Sequence, residues 1–268
     1  MPATTSTESE YSSKIEYFSY FCAQIMIWLY LLCLFLLTVV GGVIPFLFKQ
    51  FKSSWITLLL AFSGSFLMAI TILHLMPETF HELGEKAGIY ILLGFFLQLI
   101  LQRLSHGVEH GHVHEHNAHI HSISPIFLGL CIHAFMEGIP LGFNYQDSTT
   151  LPSIFLGVAA HKIPEAITLS SLLLFSTSRW NKWVLVLLFA IVSPLSGIMA
   201  MYYGQKFYFV SNLLVYIIPV VIGAFLHIST TILYESGTKH HELSRQKVTV
   251  VLLGLGFALL TLLLHSHD

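Results

Sequence analysis

The chain is 268 residues long, 55% hydrophobic and only 10% charged, with a formal net charge of -2. A soluble domain carries about 25% charged residues, so an ordinary soluble fold is excluded. The near-neutral balance also gives no support to nucleic-acid binding or a polybasic lipid patch.

Taken in chain order, the first twenty residues, MPATTSTESEYSSKIEYFSY, read as a polar tail with no assignable role, and 21–268 read as one membrane domain. A helix crossing the hydrocarbon needs roughly 20 mostly apolar residues. Eight segments meet this: 21–48, 55–80, 88–104, 124–145, 152–175, 183–203, 211–235 and 248–265. The runs are long and continuous rather than short and alternating, which disfavours a barrel. The expected fold class is therefore an all-α membrane protein of eight transmembrane helices. Cys22, Cys33 and Cys131 lie in apolar surroundings without a CxxC pair and read as small core residues.

Orientation follows from Lys and Arg. Connectors after the odd-numbered spans hold Lys49, Lys52, Arg103, Arg179, Lys182, Lys239, Arg245 and Lys247, against Lys14, Lys86 and Lys206 on the other side. The bias predicts both termini outside the cytosol, in a plasma or an organelle membrane.

The connector between spans three and four, SHGVEHGHVHEHNAHIHS, holds seven of the sixteen histidines and no Lys or Arg. His106, His110, His112, His114, His116, His119 and His121 would bind transition metals loosely in several geometries, on the cytosolic side. A plain polar linker is the alternative. Buffering or sensing suits this loop better than one defined site.

Ionisable residues inside spans are costly and normally face a cavity or each other. Three spans carry His then Glu at i and i+4, which puts both on one helix face: His74 and Glu78 in HLMPE, His133 and Glu137 in HAFMEG, His161 and Glu165 in HKIPE. Span seven adds His227 and Glu235. Two facing helices, each offering an imidazole and a carboxylate, can close four ligands around a divalent cation. Such a set suits zinc, lacks the thiolates that favour Cu(I), and is too rich in nitrogen for Mg²⁺ or Ca²⁺. Any single pair could instead staple two helices by a hydrogen bond. Pro140 and Pro164 each withhold a backbone donor in spans four and five, which frees a carbonyl at membrane depth.

HAFMEG in span four, HKIPE in span five, the histidine-rich connector before them, and HLMPE and HIS elsewhere resemble the ZIP (Zrt/Irt-like) family of divalent metal transporters. The resemblance runs from about residue 25 to the end. It implies inverted three-span repeats, spans one to three and six to eight, around central spans four and five. It further implies an elevator-like motion of spans one, four, five and six, and movement of zinc, iron or related metals toward the cytosol. Many members of that family hold two metal ions. Here Ala134, Lys162 and Ser193 stand where further ligands would be sought. The expectation is one transport site, His133, Glu137, His161 and Glu165, with the Lys162 ammonium in the second position, paired with Glu165 when no metal is bound. Lys162 snorkelling to an interface is the alternative. His74, Glu78, His227 and Glu235 are expected along the pathway.

Zn²⁺ leads as the transported ion, ahead of Fe²⁺, Mn²⁺ and Cd²⁺, and no organic cofactor is indicated. The expected partners are the metal ion and the lipid bilayer, and a homodimer would suit the fold. A membrane-embedded zinc hydrolase is the competing class, although HELGE at 81–85 lacks the second histidine of HExxH. A bis-histidine haem bundle would need neither the carboxylates nor the lysine.

Overall fold

The computed structural model of the protein describes residues 5–48, 53–105, 124–142, 150–175, 181–236 and 244–265, and the regular structure among them is helical. Its elements are α1 (Thr5–Leu47), α2 (Ser53–Ile70), a π turn (Thr71–Leu75), α3 (Met76–Leu83), α4 (Lys86–Ser105), α5 (Ser124–Gly142), α6 (Thr150–Phe175), α7 (Lys182–Lys206), α8 (Tyr208–Ser236) and α9 (Arg245–His265). Each of the eight expected segments coincides with a helix, the second being the continuous run α2–π turn–α3. Six stretches, on α1, α2–α3, α4, α5, α7 and α8, are long and apolar enough to cross a membrane. Helices α6 and α9 are not among them; in α6, His161, Lys162, Pro164 and Glu165 dilute the apolar content. Helix α1 begins at Thr5, so most of the polar N-terminal stretch continues as helix into the first span. The histidine-rich connector, 106–121, lies outside the described residues.

Helix ends carry local signals. Gly84, at φ +56°, takes the left-handed conformation that a Cβ disfavours, and it closes α3 by donating from its N–H to the Phe80 carbonyl at 2.9 Å. Asn181 caps α7 by accepting from the Trp183 N–H at 3.0 Å. In the π turn the Met76 N–H reaches back to the Thr71 carbonyl. Pro77, next in the chain, has no N–H to offer, so the hydrogen-bond frame shifts there at little cost.

By their close glycine contacts the helices fall into two groups. Helix α5 lies against α7, and α1 against both α6 and α7; separately, α4 lies against α8, and α2 against α8 and α9. Inside each group glycines let backbones touch. A Cβ at Gly138 would overlap the Ser193 carbonyl, at Gly142 the Gly197 carbonyl, at Gly94 the Val220 carbonyl and at Gly223 the Ile91 carbonyl. In lipid, helix association draws on such van der Waals contact rather than on water exclusion. Between the groups, α6 meets α2 and α4 meets α5. Gly157 of α6 meets only the side chains of Leu67 and Ile70. Leu130, Ala134, Leu169, Leu173 and Phe189 fill the space among α5, α6 and α7, which fixes the two central helices that carry the polar residues.

Candidate metal-ion site

The i,i+4 spacing puts His133 and Glu137 on one face of α5, and His161 and Glu165 on one face of α6. The packing turns these faces toward each other. All four side chains are buried, and one ligand atom from each lies within 4.8 Å of the others. His133 Nε2 is 2.6 Å from Glu137 Oε1 and 3.9 Å from Glu165 Oε1. His161 Nε2 also contacts Glu137 Oε1.

Proton accounting bears on what this arrangement can hold. His161 Nδ1 sits 3.1 Å from the Gly157 carbonyl, an atom that can only accept, so Nδ1 carries the hydrogen. In the neutral ring Nε2 then presents a lone pair to the carboxylate. Two acceptors facing each other require a cation between them, either a proton or a metal ion. A backbone carbonyl orienting a ring nitrogen in this way is the usual support of a metal-binding histidine. His133 Nε2, although close to Glu137, lacks hydrogen-bond geometry, and His133 Nδ1 and Glu165 Oε1 are also buried without a hydrogen-bond partner among the described residues. Buried polar atoms are satisfied in nearly all native structures. An ion held by two imidazoles and two carboxylates would satisfy the atoms that converge here, and that donor set suits a tetrahedral first-row metal.

Lys162 divides each carboxylate in two. Its Nζ donates to Glu137 Oε2 at 2.5 Å and to Glu165 Oε2 at 2.7 Å, which leaves the Oε1 atoms turned toward the imidazoles. The lysine is fully buried, and its ammonium also lies 5.0 Å from the centre of the Phe189 ring. It therefore does not snorkel, and it pairs with both glutamates rather than with Glu165 alone. Burying the ammonium and two carboxylates together lowers the cost of each. Ala134 is buried, and its carbonyl accepts from Ser193 Oγ at 2.8 Å, so Ser193 ties α7 to α5.

The remaining expected residues stand apart from this quartet. His74 lies in the π turn and Glu78 in α3, both half-buried, and the turn packs against α6 and α8. His227 is buried on α8, its ring edge-on to Phe95 at 4.9 Å. Glu235 lies in α8, its side chain outside the described ones. Two features escaped the sequence reading. The π turn has no sequence pattern of its own beyond Pro77. Gln98, a fully buried amide in α4, carries no charge to mark it; its signal in the sequence is an uncharged amide inside an apolar run.

A buried two-imidazole, two-carboxylate cluster within a bundle of long apolar helices is the pattern of a multi-pass membrane protein with a candidate intramembrane cation site. The family model described as ZIP zinc transporter matches residues 125–264, from α5 to α9, and the chain belongs to that family of metal transporters. No curated protein matches the chain. Membership in a transporter family agrees with a non-enzymatic role, and nothing in the site favours the hydrolase alternative.

Proposed function

We propose that the protein carries a divalent transition metal ion, Zn²⁺ first, toward the cytosol through His133, Glu137, His161 and Glu165. The observation that carries this reading is the convergence of four buried donors within 4.8 Å, of which His133 Nε2 and Glu165 Oε1 have no hydrogen-bond partner among the described residues. Zn²⁺ is preferred because two nitrogens and two oxygens in a closed cluster match its tetrahedral habit. Fe²⁺, Mn²⁺ and Cd²⁺ would use the same donors. The inward direction rests on the family. The placing of both termini outside the cytosol, and of the histidine-rich loop within it as a metal buffer, rests on the Lys and Arg bias.

The transport unit is 21–268, with eight spans arranged as inverted repeats. Reciprocal packing supports this: α1 lies on α6 as α7 lies on α5, and α2 lies on α9 as α8 lies on α4. Exchanging spans one to three with six to eight, and four with five, reproduces these pairs. Movement of α1, α5, α6 and α7 as one body past the rest is supported by where the glycines lie. Close approaches of a glycine to a neighbouring backbone fall inside one group or the other, whereas Gly157 and Gly204 meet the opposite group only at side chains. Backbone contacts resist sliding; side-chain surfaces permit it.

The test is radioactive zinc uptake into liposomes bearing the purified protein, beside Glu165→Ala. Uptake by the parent and its collapse in the variant are expected. Equal uptake by both would remove the site from this pathway, and no uptake of any of the four metals by a folded parent would remove transport itself.

A further inference from the structure

Outside the quartet, Gln98 and His227 are buried polar side chains with atoms left without a hydrogen bond among the described residues. Gln98 on α4 is fully buried, with neither its amide nitrogen nor its oxygen hydrogen-bonded among the described residues. His227 on α8 is 3% exposed, and its Nδ1 is likewise without a partner. The two helices run in the same direction, since Tyr90 meets Tyr216, Gly94 meets Val220 and Phe95 meets His227 in ascending order. They touch backbone to backbone at Gly94 and Gly223. Gln98 and His227 each follow one of these glycines by four residues, so they stand one turn beyond the crossing on the facing stripes.

We propose that Gln98 Oε1 and His227 Nδ1 form a second, weaker site for the transported divalent cation; this rests on the transport reading above. A partnerless carboxamide at membrane depth is expensive, and two unsatisfied side chains at matching positions of one helix pair call for a shared occupant. The donors are one amide oxygen and one imidazole nitrogen, both neutral. They therefore hold a cation less tightly than the quartet with its two carboxylates, as suits a stop that an ion must leave. On α8 His227 is two residues, about 3 Å of helix rise, beyond Phe225, whose ring lies 6.5 Å from the His161 ring of the quartet; the two side chains leave α8 on nearly opposite faces.

The test is anomalous diffraction from Cd²⁺-soaked crystals of three proteins: the parent, Gln98→Leu, and Glu137→Gln/Glu165→Gln. It is read together with liposome uptake and thermal melting. The parent should show one peak in the quartet and a fainter one between Gln98 and His227. Gln98→Leu should lose only the fainter peak and transport several-fold more slowly. It should melt no lower than the parent, because an unsatisfied amide has been replaced by an apolar side chain of similar size. The double glutamine variant should lose the quartet peak and keep the other. Water density alone between Gln98 and His227, or parental uptake by Gln98→Leu, overturns the second site while leaving the quartet standing. A quartet without cadmium in the parent overturns the transport reading instead.

Discussion

Lys162 stands where two buried glutamates would otherwise repel each other. With its ammonium bonded to one oxygen of each, the site is left with one net negative charge for an arriving dication. Like charges about 4 Å apart interact by roughly 4 kcal/mol at an effective dielectric of 20, so on the reading proposed above the ammonium would oppose a second cation. Replacing it by alanine should raise the metal bound per protein, tighten zinc binding by at least about tenfold and slow release. Equilibrium dialysis against the parent reads the first two, and unchanged stoichiometry with unchanged uptake would end the idea of a filled second position. Imidazole must be deprotonated to ligate, so zinc uptake should weaken as pH falls from 7 toward about 5.5, as a pH series of initial rates would show. At this scale the His and Glu of each helix were legible as i,i+4 pairs. The direction taken by Lys162 was not, because a lysine one position from a ligand can reach inward or snorkel, and only the facing carboxylates decide.

At the scale of the element, glycine roles separate by neighbour rather than by helix. Gly142 of α5 is pressed against the Gly197 carbonyl of α7, whereas Gly256 of α9 has open space around its Cα. Gly142→Val should therefore cost about 1–3 kcal/mol or more through overpacking. Gly256→Ala should be neutral or stabilising by up to roughly 1 kcal/mol, since it adds helix propensity without a clash. Thermal melting in detergent separates the two, and equal shifts would mean that the α5–α7 contact is looser than the structure places it. The helices themselves were readable to within a few residues, because long apolar runs admit little else. The π turn was not readable, since a shift of hydrogen-bond frame leaves side-chain chemistry unchanged.

For the whole molecule, two helix groups predict two kinds of cross-link in a background lacking the native cysteines. A Cβ at Gly157 of α6 lies 4.0 Å from Ile70 Cβ of α2, between the groups. One at Gly64 of α2 lies 3.0 Å from Ile232 Cβ of α8, inside one group. The first separation falls inside the 3.5–4.5 Å that a disulfide uses, and the second is short of it by an amount a small shift of α2 from α8 supplies. Oxidised Gly157→Cys/Ile70→Cys should block zinc uptake, reversibly on reduction, whereas oxidised Gly64→Cys/Ile232→Cys should leave it largely intact. Uptake that survives the first bridge would show that the groups need not slide. The sequence by itself determined that this chain is a membrane helix bundle, and that α5 and α6 each present an imidazole and a carboxylate on one face. Both follow from local chemistry: the cost of an unpaired backbone group in hydrocarbon, and the 3.6-residue turn. Only the tertiary structure decided that those two faces meet, that Lys162 holds both glutamates, that Ser193 binds a backbone carbonyl, and that Gln98 and His227 each follow by four residues a glycine of the α4–α8 crossing. These depend on which helices touch and at what height. That is set by glycine contacts between residues far apart in the chain, which no local periodicity encodes.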